Sequence, residues 1–259
     1  MGCVAALTAT LVALPAPVQA QAPFVTDDGS VTSYKGWHLE LYEQFASLGP
    51  NDIPALRQHT FVVSLMRGIL PGVEFGVDFP LLHIENSGRP NAFGLGDVNF
   101  VTKFRIRDAD SSGWAPSLYG SVQFEMPTGD AAQQLGTGKF DAVVTLIAER
   151  KLASGLILRG NLGAVLFGNS LTGVVGLQRA GLIVVTSAAL GLPVHRRFLL
   201  LLEGSYAQAR FTDDRDRESR TMVGGWWRVG TAHQIGISYQ LGWQATPPHQ
   251  VQLGWSADF

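Results

Sequence analysis

Cysteine is almost missing from this chain of 259 residues: Cys3 stands alone, in a segment expected to be removed, so the mature chain would carry none. That suits an oxidising compartment. Charge is sparse as well, at 15% of residues with a formal net charge of −2. Four lysines (Lys35, Lys103, Lys139, Lys151) and scattered arginines make no basic stripe, which argues against a nucleic-acid partner. Beyond the N-terminus no run approaches the roughly 18 consecutive apolar residues of a membrane-spanning helix. Six histidines (His38, His59, His83, His195, His233, His249) lack metal-ligand spacing, so neither a metal nor a cofactor is expected. No Gly-x-Ser-x-Gly elbow occurs and no Ser-His-acid set assembles from the spacing. Gly94-Leu95-Gly96-Asp97 and Thr137-Gly138-Lys139 complete neither a P-loop nor a dinucleotide fingerprint. The chain does not read as an enzyme.

What is present begins with a leader. Cys3 to Leu14 is apolar, Pro15 and Pro17 break any helix, and Val18-Gln19-Ala20 offers small residues for a signal peptidase. Residues 1–20 are therefore expected to be a secretory signal, although no Lys or Arg precedes the apolar run. Cys3 is too early for a lipoprotein cysteine, and Ala6 occupies the position where myristoylation of Gly2 favours Ser or Thr. Residues 21–35 are polar, with Pro23 and Thr26-Asp27-Asp28-Gly29, and are expected to form an N-terminal periplasmic arm.

From Gly36 to Phe259, segments with a period of two recur between stretches of turn chemistry. Trp37, Leu39, Leu41 and Phe45 alternate with His38, Glu40, Tyr42 and Gln44; Val73, Phe75, Val77 and Phe79 alternate with Glu74, Gly76 and Asp78. The last segment puts Val251, Leu253, Trp255, Ala257 and Phe259 on one face, and Gln252, Gly254, Ser256 and Asp258 on the other. The pattern reads as an all-β chain: an antiparallel up-and-down β-barrel of about twelve strands. Turns at 68–72, 153–155 and 230–232 are short, whereas 49–57, 85–96, 127–138 and 210–220 are longer and more polar.

Alternation alone does not say which face is buried. A soluble barrel turns its apolar face inward, an outer-membrane barrel outward. The leader, the loop asymmetry and aromatics near strand ends (Trp37, Trp114, Trp226, Trp243) favour lipid outside. So does the aromatic ending, with Trp255 and Phe259 as the expected assembly signal, because it resembles the C-terminal insertion signature of bacterial outer-membrane barrels.

Three local patterns then point the same way. Pro23-Phe24-Val25-Thr26-Asp27-Asp28-Gly29 follows the leader, Gly94-Leu95-Gly96-Asp97 precedes Lys103, and Met126-Pro127-Thr128-Gly129-Asp130 precedes Leu135-Gly136-Thr137-Gly138. Together they resemble motifs of the outer-membrane transporters linked to the meta-pathway of phenol degradation. The resemblance implies a transmembrane barrel for passage of small molecules, aromatic or hydrophobic compounds among them. It brings no functional residues with it.

Ionisable side chains are costly in lipid, so those on the polar face are expected to line a lumen: Glu40, Glu74, Asp78, Lys103, Arg105, Glu125, Glu149, Arg159 and Glu203. In the hairpin closed by residues 85–96, Asp78 is expected near Lys103 and Glu74 near Arg105. Arg210 to Arg220 reads as a solvated mixed-charge loop. The expected partners are outer-membrane lipid and lipopolysaccharide, the barrel-assembly machinery and a small molecule whose identity the residues do not reveal. The alternatives are a structural or adhesive surface barrel and a membrane-embedded hydrolase.

Overall fold

Period-two alternation becomes strand wherever turn residues bracket it. The computed structural model describes residues 24–48, 55–110, 114–168, 180–210, 217–244 and 247–259. The leader, residues 49–54 and residues 211–216 of the mixed-charge loop lie outside them. Thirteen strands follow in order: β1 Trp37–Ser47, β2 Ala55–Leu70, β3 Val73–Asn86, β4 Ala92–Leu95, β5 Val98–Arg107, β6 Ser117–Met126, β7 Asp141–Lys151, β8 Ile157–Phe167, β9 Leu182–His195, β10 Phe198–Ala207, β11 Glu218–Val229, β12 His233–Gln244 and β13 His249–Asp258. Tight reversals fall where the backbone must enter the left-handed region, as at Gly72 (φ 77°) and Gly230 (φ 71°), and glycine does so at no steric cost.

Leaving aside β4, which pairs only with β3, each strand pairs antiparallel with the strands before and after it, and β1 pairs β13 as well as β2, so the sheet closes on itself. At the seam Trp37 N donates to Phe259 O at 2.7 Å and Phe259 N to Trp37 O at 2.9 Å. Closure removes both sheet edges. β4 and β5 share the same edge of β3, broken at Gly96 and Asp97, so the thirteen segments form the twelve staves of the expected barrel. The break faces Pro80, which has no N–H to offer a ladder; only its carbonyl is used there, accepting from Gly96 N at 2.8 Å.

The two faces have opposite chemistry. Phe75 and Phe79 of β3, Leu158 and Leu162 of β8, and Ile235 and Ile237 of β12 are exposed on the outside, while Asp78, Gln240, Glu203 and Asn99 are buried inside. A soluble barrel would bury the first set. Solvating that apolar girdle costs about 25 cal/mol per Å², so the outer face suits hydrocarbon rather than water. One aromatic differs from expectation. Trp226 points inward and is buried against Phe24, Ala189 and Leu201, while its neighbour Trp227 takes the outward position. Two adjacent tryptophans in a strand must face opposite ways.

Both described ends of the ring, Trp37 and Phe259, share one rim with the turns at 71–72, 152–156, 196–197 and 230–232. The connection at 108–116 is an exception, longer than its companions on this turn end. Its described ends are held by Arg150, whose Nη1 donates to the carbonyls of Asp110 at 2.6 Å and Ala115 at 3.1 Å. The longer connections gather at the opposite, loop end.

Candidate functional site

Eight of the nine charged residues expected in the lumen are on the inner face. Glu40, Glu74, Asp78, Lys103, Glu125 and Glu203 are buried, and Glu149 and Arg159 are half-buried, joined from Arg159 Nε to Glu149 Oε2 at 2.8 Å. Arg105 shares their parity but sits at the turn-end rim, exposed and paired to Asp108 at 3.0 Å. β5 reaches the mouth there, so the side chain meets solvent instead of the lumen.

The expected pairing within the β3–β5 hairpin is displaced. Glu74 lies opposite Lys103, and Asp78 lies opposite Asn99. The cause is the length of the hairpin. Residues 92–95 remain strand, paired with 81–84, so the chain turns further out, between Asn86 and Asn91, and every pair below shifts with it. Asp78 therefore does not hold Lys103; it faces Ser64 across the β2–β3 ladder.

Lys103 is held by the N-terminal arm. Residues 24–34, expected to precede the barrel, run against inner side chains on strands spread around the ring, from β3 to β10. Lys103 Nζ of β5 bonds Asp27 Oδ1 at 2.8 Å and Asp28 Oδ1 at 3.1 Å. Glu203 of β10 accepts from Val25 N at 3.1 Å and Thr26 N at 2.7 Å. Glu149 of β7 accepts from Gly29 N at 3.2 Å, and Glu74 of β3 from Thr32 N at 2.6 Å. A segment that reaches β3, β5, β7 and β10 at once must lie across the bore. The arm has no strand partner along most of its length, so wall carboxylates satisfy its N–H groups. Each such bond is charge-assisted, worth about 1.5–3 kcal/mol. Burial would raise the Asp28 carboxyl, but Lys103 and Arg159 hold it well below the usual carboxylate range.

The loop end is narrowed by a second inward element. Asp97, at the break between β4 and β5, accepts from Gly129 N at 2.8 Å and Thr137 N at 2.5 Å, drawing the connection 127–140 into the mouth. Asp130 caps the short 3₁₀ turn Ala131–Gln133 there. Bonds from the Gln133 side chain and the Ala132 amide keep its carboxyl below the ordinary range. Leu135 then packs into a cluster with Ala55, Leu82, Ile84 and Ala92. Two motifs separated in sequence, Gly94–Asp97 and Met126–Gly138, thus form one unit. A Cβ on Gly136 would stand 2.3 Å from Asp97 Oδ1, which explains the glycine.

Arm and loop divide the interior. On the loop side a cavity of about 150 Å³ is lined by Val25, Val62, Leu82, Val143 and Phe167, with Glu125 and Arg220 among its polar groups. Arg220 is neutralised by Glu218 at 2.7 Å, and Glu218 is also bonded by Arg210. On the turn side a larger cavity, about 540 Å³, is lined by Asp28, Glu40, Glu74, Lys103, Glu149 and Arg159. Asp27, Asp28 and Asp97 were missed as wall-to-plug contacts. Their signal is local: acidic residues beside glycine in segments with no alternation, hence free to leave the sheet.

The fold has solved counterparts. An outer membrane channel from Pseudomonas putida F1 superposes with a TM-score of 0.71 at 12% identity, covering 90% of this chain and 98% of that one. The NanC porin gives 0.59 at 7% identity, with 85% and 98% covered. The KdgM porin in complex with disordered oligogalacturonate gives 0.55 at 6%, with 86% and 99% covered. At these identities the likeness is one of fold. No curated protein matches the chain by sequence. The family described as "Putative MetA-pathway of phenol degradation" matches residues 56–259, nearly the whole barrel, and the chain belongs to that family.

Proposed function

We propose that the chain is a bacterial outer-membrane channel for passive passage of small molecules, hydrophobic or aromatic compounds among them, and that it carries no catalytic role. One observation carries the reading: a closed ring, apolar outside, encloses two cavities separated by a bonded arm instead of a packed core. A structural barrel has no need of internal space. The loop-end chamber is lined by about as many polar as apolar residues, though most of the wall it exposes is apolar, which suits small molecules that carry a few polar groups. The turn-end chamber is lined by charged side chains, suited to release. The short turns face the periplasm and the long loops the exterior, as in outer-membrane barrels. Lipid and lipopolysaccharide surround the girdle, and the assembly machinery reads the strand ending in Trp255 and Phe259.

The test is conductance of the purified protein in planar bilayers, beside a variant lacking residues 24–34. We expect a small conductance that rises several-fold without the arm. A second reading, a plugged structural barrel, draws on the arm's bonds to opposite walls. It would prevail if neither protein conducts while both migrate as folded barrels.

A further inference from the structure

His59 and His83 stand equally far from Pro71, the middle of the β2–β3 turn, and the register sets them directly opposite each other. Both point outward, with rings stacked at 5.9 Å between centroids. Glu85, two residues beyond His83, shares that face, and one donor atom from each of the three lies within 4.8 Å of the others. From the other side Glu43 of β1 reaches His59 Nδ1 at 3.2 Å. Sequence spacing hides this set, because its members lie on three strands.

We infer that His59, His83 and Glu85, with Glu43 beside them, form a binding site for a divalent first-row transition ion on the outer wall of the barrel. Two imidazoles and two carboxylates favour zinc, nickel or copper over magnesium or calcium, which prefer all-oxygen shells. Zinc ligand distances of about 2.0–2.2 Å require donors about 3.3 Å apart in a tetrahedron, so the three gathered donors need only draw together, with Glu43 the candidate fourth from its place beside His59. Directly opposed strand positions hold their Cβ atoms about 5 Å apart, which fixes the histidine pair without an ordering cost. Two carboxylates balance the ion's charge.

Without an ion the cluster is quieted differently. Arg57 bonds Glu85 at 3.3 Å, and Arg57 is itself 59% exposed, so it can swing into water when the ion enters. The site lies just above the apolar girdle. Phe79 and Leu81 precede His83 on the outward face of β3, and Phe93 of β4 packs edge-on against it. An ion bound there would tie β1, β2 and β3 together at the height where strands leave the hydrocarbon. Nothing in this depends on whether the lumen conducts.

The test uses the untagged, folded protein in detergent and Zn²⁺ alone, titrated calorimetrically, with Mg²⁺ as the hard-cation comparison. One Zn²⁺ per chain is expected, bound at least tenfold more weakly by His59→Ala and by His83→Ala and equally well by His38→Ala. Co²⁺ in place of zinc should show tetrahedral visible bands that His83→Ala abolishes. Because both histidines are on the outer surface, folding can be verified by heat-dependent gel migration of each variant. The inference is overturned if the parent shows no saturable Zn²⁺ binding, if Mg²⁺ binds as well, or if both histidine variants keep the parent's affinity.

Discussion

Replacing Lys103 by Met removes the one side-chain cation seen bonded to the arm among the described residues, while keeping its length and apolar stem. Its ammonium lies 2.8 Å from Asp27 and 3.1 Å from Asp28, with side-chain exposures of 7%, 10% and 15%. Breaking a buried ion pair from one side costs about 3–5 kcal/mol, because the remaining charge stays desolvated. Arg159 still faces Asp28, which places the loss near the lower figure. At 1.4 kcal/mol per decade, about 3 kcal/mol lowers the ratio of seated to released arm roughly a hundredfold. The backbone bonds to Glu203, Glu149 and Glu74 remain, so the arm exchanges instead of leaving for good. Single-channel recording should show Lys103→Met flickering to a higher conductance. Limited proteolysis should cut residues 24–34 in the variant and spare them in the parent. The effect should be larger at pH 8 than at pH 5, since burial pushes the Asp27 carboxyl up to about 7, so at pH 5 it is neutral and leaves less uncompensated charge beside Asp28. Unchanged conductance and protection at both pH values would refute the idea that Lys103 seats the arm.

The inward loop is the second lever: Asp97→Ala strands the amides of Gly129 and Thr137, at about 1–3 kcal/mol each. Protease should then nick residues 127–138 and conductance should rise; an uncut loop would mean that Leu135 and its apolar neighbours hold it unaided. Phe259→Ala keeps both backbone bonds to Trp37 and removes a ring that is 68% exposed, so the folded barrel should lose under about 1 kcal/mol. Its membrane level should nonetheless fall several-fold, through lost recognition during assembly, and an undiminished level would remove the terminal ring from that role.

The barrel was legible in the sequence because period-two alternation is a local property and survives without knowledge of partners. The strands flanking the 68–72 turn, the inward parity of Glu74, Lys103 and Glu203, and the outward parity of Phe75 and Phe79 all follow from it. Resemblance of the Gly94–Asp97 and Met126–Gly138 motifs to a transporter family led to the right family as well. Alternation has no sign, however, and only the assembled ring decided that the apolar face is the outer one. Register is likewise non-local: four residues of strand at 92–95 moved Lys103 from Asp78 to Glu74. What fills the bore depended on tertiary contacts altogether. Residues 24–34 have no period to read, and their place follows from carboxylates on β3, β7 and β10 and an ammonium on β5, brought within bonding distance only once the sheet has closed. His59 and His83 make the same point on the outside, for a turn of the chain had to fold before two remote imidazoles could face each other.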